Sequence, residues 1–245
     1  MQPFNGTSLR EKCYKVLSPC DLSTIEISAL AMMARGMPDL TFFRSSWFTQ
    51  HSVRSNSDPG SLDAVVVKST INSFHISLFK TLAPNIEHIA VLRNYIDTLK
   101  SFAENGMDHH WFKDGIGELH KIIDFEFIPY GLRSFLPLVK SDWHSVALLL
   151  ATRQISILRQ IPYSRIIFHE KFSVDPLAAC SIFFREVGVT DISLEQTSAF
   201  KSKDFSIWEN RGVSRAFFID DFVLALSHYI HGEITEAQNR EKSNS

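Results

Sequence analysis

Cysteine is scarce in this chain of 245 residues, with Cys13, Cys20 and Cys180 as the full complement. The number is odd and no metal-type spacing occurs, so the expectation is buried thiols in a reducing compartment. A Cys13–Cys20 disulfide would matter only if the chain were secreted. Excess charge of either sign is lacking too: 25 Lys and Arg stand against 27 Asp and Glu, a net charge of −2. That excludes a global basic field for nucleic acid or an anionic membrane and leaves room only for a local anion site. No segment reaches the roughly 18 apolar residues that a bilayer crossing needs. The N-terminal stretch MQPFNGTSLREK has no apolar signal-peptide core. The chain as given is therefore expected to be soluble and cytoplasmic, with the sequon Asn5-Gly6-Thr7 idle.

Several chemical signatures are missing. There is no G-x-x-x-x-G-K-[ST] loop, no G-x-G-x-x-G turn and no G-x-S-x-G elbow. Ordinary nucleoside triphosphatase, dinucleotide and α/β-hydrolase chemistry lose their usual support. Asp108-His109-His110 and His120 invite a metal. Adjacent histidines point apart on a helix, and no i,i+4 His pair with a carboxylate base occurs, so no metal is expected.

What is abundant is phenylalanine, with 20 residues, which implies a core filled with large rings. Residues 8–19 and Ser23 to Arg35 look helical, the second ending near Gly36 and Pro38. Asp63 to Lys68 is a β-branched apolar run, the pattern of a buried parallel strand. Ile71, Phe74, His75, Leu78 and Leu82 follow at helical spacing, with Pro84 at the exit. Ile86 to Leu92 is a second apolar run, and Ile96, Leu99 and Phe102 predict another helix. Strand–helix–strand–helix is the signature of an open parallel sheet.

Residues 104–140 read as short helices and loops rich in Gly, His and aromatics. Trp143 begins a long amphipathic helix with Val146, Ala147, Leu150, Ile157, Leu158 and Ile161 on one face. Arg165 to His169 predicts a third strand. Asp175-Pro176 opens a helix, with Asp as N-cap and Pro at the first position, and Gly188 closes it. Phe217 to Ile230 predicts a final helix, and the residues after Glu233 a frayed polar tail. The expected organisation is one domain over 1–232 with a polar tail at 233–245.

The chemistry concentrates where the second run ends: Leu92-Arg93-Asn94-Tyr95-Ile96-Asp97-Thr98-Leu99-Lys100-Ser101. In an open parallel sheet, ligands bind beyond the carboxyl ends of the strands. Arg93 sits at that edge and Ser101 about two turns into the next helix, so a guanidinium and a hydroxyl can converge on one phosphate. The bland alternative is a surface Arg beside an N-cap Asn.

These residues resemble the family of sulfotransferases that use 3′-phosphoadenylyl sulfate (PAPS). In that family a strand ending in Arg-Asn/Asp-Pro is followed by a Ser at the same interval. Arg93 and Ser101 match the positions that bind the nucleotide 3′-phosphate there, with Tyr95 where Pro is common. Val65-Val66-Val67-Lys68-Ser69 is similar to the family strand that precedes the Arg strand. Ala83-Pro84-Asn85-Ile86 is similar to the entry to the Arg strand, and Arg165 to Pro176 with Ile182 to Val189 to a later strand, turn and helix. The likeness spans residues 63–190. It implies an α/β fold of three layers, α/β/α, around a central parallel sheet, the P-loop-like sulfotransferase architecture. It also implies sulfuryl transfer from PAPS, as co-substrate, to a hydroxyl or amine acceptor of unknown identity.

The family's first strand and its 5′-phosphosulfate loop fit less well. The candidate loop is Pro3-Phe4-Asn5-Gly6-Thr7-Ser8, in which Gly6, Thr7 and Ser8 match. Phe4 falls where a Lys or Arg is expected, and only two residues precede Pro3, so the first strand is expected to be missing. Lys68 could assist the leaving phosphate or merely cap a strand end. The His that cytosolic members carry after that Lys is absent from Lys68-Ser69-Thr70, while His75 reads as a core residue. Lys201, Lys203, Ser206, Arg211 and Arg215 lie where the family closes a basic loop over the nucleotide, with Lys203 as the candidate contact and a solvated charged loop as the alternative. These departures tilt the acceptor toward carbohydrate and allow a Golgi location if an anchor precedes the chain. They also keep open a catalytically inactive protein that binds nucleotide or a partner.

Overall fold

The computed structural model describes Ser28 and residues 76–82, 84, 86–104, 129–186 and 219–244. Two compact units divide the chain, Met1–Glu87 and His88–Ser245, with the boundary inside the span expected to be one domain. In the first unit, Ser28 is helical and exposed, within the predicted Ser23 to Arg35 helix. Helix α1, Ile76–Leu82, covers the end of the periodic pattern before Pro84. The apolar run at 63–68 lies outside the described residues.

The second unit contains strand β1 (Ala90–Leu92), helix α2 (Tyr95–Glu104) and the short helix α3 (Tyr130–Arg133). Helix α4 (Asp142–Gln160) leads into strand β2 (Ile166–Phe168). Helices α5 (His169–Val174), α6 (Pro176–Glu186) and α7 (Asp221–Asn244) follow. β1 and β2 pair in parallel, with Ala90 opposite Ile166 and Leu92 opposite Phe168. The class is α/β, with helices dominant and a two-stranded sheet among the described residues. Both strands are three residues long, shorter than the runs that predicted them. Val91 is 65% exposed between the buried Ala90 and Leu92, so the described residues pack against one face of β1.

The core is built on α4. Ser141 starts it, its hydroxyl accepting from the His144 amide at 3.1 Å. The apolar spacing predicts one buried face, yet every residue from His144 to Ser156 is buried. The helix is encased because α2 and α7 both pack against it. A helix buried all round must satisfy its polar side chains internally. Thr152 donates to the Leu148 carbonyl at 2.8 Å, and Gln160 donates to the Ser156 carbonyl and hydroxyl.

α7 continues well past the predicted end. Phe222, Leu226, Ile230, Glu233 and Ala237 form its buried stripe at helical spacing. Glu233 breaks the apolar run, which is why the sequence reads as a frayed tail from that point. Its charge is met by Arg159 of α4, whose Nη2 lies 2.7 Å from Oε2 and 3.0 Å from Oε1. Farther along, the Glu241 carboxylate accepts from the Ser164 amide at 2.7 Å and from the Ser164 hydroxyl. The residues expected to fray thus brace the turn that feeds β2.

α3 sits close to α7 because residue 131 has no side chain. A Cβ there would lie 2.9 Å from the Tyr229 hydroxyl and 3.1 Å from its ring. Phe135 then meets Phe222 and Tyr229 edge-on, at 6.0 and 5.8 Å between ring centroids. At α6 the sequence expectation holds: Asp175 Oδ1 accepts from the Ala178 amide at 3.0 Å, and Pro176 opens the helix. The turn expected before it is instead the helix α5.

Removing Arg159 leaves a buried carboxylate uncompensated. Arg159→Ala should destabilise the chain by about 3 kcal/mol in urea unfolding, whereas Arg159→Met with Glu233→Leu should recover most of that loss. A single-variant loss below about 0.5 kcal/mol would show that the pair behaves like a surface ion pair.

Candidate functional site

The site forms at the carboxyl edge of the two strands. Past the last paired residues come Arg93 and Asn94 on the β1 side, and His169 and Glu170 on the β2 side. Three contacts fix the backbone there. Gln154, in the buried middle of α4, donates from Nε2 to the Arg93 carbonyl at 2.9 Å. The Asn94 amide donates to Glu170 Oε1 at 2.6 Å. Tyr95, at the first turn of α2, donates its hydroxyl to the Ala147 carbonyl of α4 at 2.8 Å.

Asn94 is an N-cap, as the bland alternative reading of this segment has it. Its Oδ1 accepts from the Ile96 and Asp97 amides at 2.9 and 3.3 Å. Its carbonyl accepts from the Thr98 amide and hydroxyl, each at 2.9 Å. In a capping box the third helical residue reaches back with a carboxylate to the N-cap amide. Here Glu170, 76 positions away in sequence, makes that return bond from the neighbouring strand's exit. Strand end, helix start and second strand end thereby meet at one carboxylate.

Helix geometry relates the two predicted phosphate ligands. Tyr95, Leu99 and Ala103 form the buried face of α2. Ser101 is seven residues beyond Asn94, so the two share one face about 10 Å apart along the axis. Ser101 therefore lies on the stripe that starts at the strand end, away from the buried face. Arg93 and Ser101 are both half-buried. Lys68, Gly6, Thr7, Ser8 and Lys203 lie outside the described residues, as do His75, His109, His110 and His120. Among the described residues no group of three or more His, Cys, Asp or Glu could hold a metal ion. No described helix is long and apolar enough to cross a membrane.

A second polar cluster joins the starts of α4 and α7. His144 stacks on Phe222 at 4.3 Å. The Lys140 amide donates to His144 Nδ1 at 3.1 Å, so Nε2 carries the proton and donates to Asp220 Oδ2 at 2.7 Å. Both ring nitrogens are committed to hydrogen bonds. Asp220 also caps α7, its Oδ1 accepting from the Val223 amide at 3.0 Å. Burial, and then the Asp220 charge, push the Tyr95 phenol well above its ordinary range, which keeps its hydroxyl a donor to Ala147.

Gln154, Asp220 and His144 carry no site motif in the sequence. The signal for Gln154 is a polar side chain within a long apolar helix. Glu170 falls in a segment matched by the family likeness but has no role assigned by it.

Burial works to raise the Asp220 carboxyl, and the Val223 amide and His144 outweigh it, holding the group below its ordinary 3.8. A carboxyl depressed in the folded state contributes stability above its unfolded value, and that contribution is lost as pH falls through the folded value. Asp220→Asn should therefore flatten the acid limb of the stability profile below about pH 4. Superimposable acid limbs for the variant and the wild type would contradict this account of the cluster. No family model, curated protein or solved structure matches the chain, so the chemistry of the site rests on its own residues.

Proposed function

We propose that the β1–α2 junction holds the 3′-phosphate of a nucleotide and that the chain is a sulfotransferase using PAPS. The observation that carries this reading is the placement of Arg93. It follows a strand of a parallel pair, precedes a capped helix, and has Ser101 on the helix stripe that starts beside it. A guanidinium and a hydroxyl placed in this way can give a phosphate charge-assisted hydrogen bonds. The complete fold on this reading is a three-layer α/β/α domain around a central parallel sheet.

In the reaction an acceptor oxygen or nitrogen attacks sulfur in line. The bond from sulfur to the 5′-phosphate oxygen breaks, the acceptor proton passes to a base, and adenosine 3′,5′-bisphosphate leaves. The protein's part is positioning and neutralising charge. Gly6, Thr7 and Ser8 would cradle the 5′ side, Lys68 would neutralise charge on the leaving phosphate, and Lys203 would close over the nucleotide. Phe4, in place of the expected cation, supports a second reading, a nucleotide-binding protein without turnover. A radiolabelled sulfate-transfer assay separates the two.

Titration calorimetry with adenosine 3′,5′-bisphosphate tests the site itself. Arg93→Ala should weaken binding about 100-fold, and Ser101→Ala about tenfold, as losses of one charged and one neutral hydrogen-bonding group. An Arg93→Ala protein that binds as tightly as wild type would overturn the assignment.

A further inference from the structure

A carboxylate already stands at the edge where the phosphate is proposed to bind. Glu170 Oε1 accepts from the Asn94 amide at 2.6 Å, one residue from Arg93 and at the start of α2. Glu170 is exposed, and this is the one hydrogen bond of its carboxylate among the described residues. An N-cap amide beside a helix start favours an anion, because the helix amides carry partial positive charge there. Glu170 therefore acts as an internal anion, held by a single bond on a side chain that can turn into solvent.

We infer that Glu170 is a gate on this site, its carboxylate competing with an incoming phosphate for the strand-end amide and the local positive field. This rests on the phosphate-site reading above. In the empty state the carboxylate completes the cap of α2. When a phosphate arrives between Arg93 and Ser101, two like charges share one small region, and the carboxylate must leave or the phosphate binds weakly. The expected consequences are weakened phosphate affinity and discrimination against anions that cannot displace the carboxylate.

Glu170→Gln isolates the charge, because its amide oxygen still accepts from Asn94. Calorimetry with adenosine 3′,5′-bisphosphate should show the variant binding roughly tenfold tighter than wild type at low salt. The gap should narrow as salt rises, and the thermal midpoint should stay within about 1 °C of wild type, well under the shift that 1 kcal/mol would cause. A purely structural role for Glu170 would give no salt-dependent gap. Equal or weaker binding by Glu170→Gln, with Arg93→Ala still impaired, would overturn the gate and leave the site standing. Binding that Arg93→Ala does not weaken, or no binding by either wild type or Glu170→Gln, would overturn the site and the gate together. Binding by Glu170→Gln alone would support both.

Discussion

A single amide from the middle of a buried helix holds the chain at the point where strand β1 ends. Gln154 lies in the stretch of α4 with no exposed side, and its Nε2 holds the Arg93 carbonyl at 2.9 Å. That bond offsets the cost of burying an amide in an apolar helix. It also fixes the backbone of Arg93, the residue at the centre of the proposed phosphate site. With its carbonyl held by α4, Arg93 presents its side chain from a rigid point. Asn94 then turns the chain into α2, and Tyr95 ties that helix back to α4 through Ala147. The site inherits its rigidity from the core.

The core in turn relies on two charged contacts that the apolar pattern does not reveal. Arg159 and Glu233 couple α4 to α7 at a point where the buried stripe of α7 carries a carboxylate. Asp220 caps α7 and holds the ring of His144 at the start of α4. Each contact joins residues more than 70 positions apart, so each adds order between elements as well as energy. The same logic appears at the site, where Glu170 completes the cap of α2 from the other strand. An anion used in this way is also one that another anion can replace.

Local signals in the sequence reported local structure well. Asp175-Pro176 announces α6, Asn94 caps α2 as the bland alternative had it, and the run from Arg165 to His169 announces β2. Patterns that depend on tertiary contact were harder to read. Periodicity marks one face of α4 as apolar, but its polar residues are buried too: Ser145 and Thr152 turn back to carbonyls one turn earlier, Gln154 reaches the strand end and His144 reaches Asp220. The residues after Glu233 look like a tail because Glu233, Arg240 and Glu241 are polar. They are helical because Arg159, Glu236 and Ser164 receive those charges. At the site, the spacing from Arg93 to Ser101 was legible, since seven residues from Asn94 return to the same helix face. The bond from Glu170 to Asn94 was not, since no local rule relates residues 76 apart.

The most direct test of the account is a crystal structure of the chain with adenosine 3′,5′-bisphosphate. The prediction is a 3′-phosphate within about 3 Å of both the Arg93 guanidinium and the Ser101 hydroxyl, with the Glu170 side chain turned away from Asn94. A nucleotide bound elsewhere, or an Arg93 side chain directed to the side of β1 opposite Ser101 with no anion between them, would contradict it.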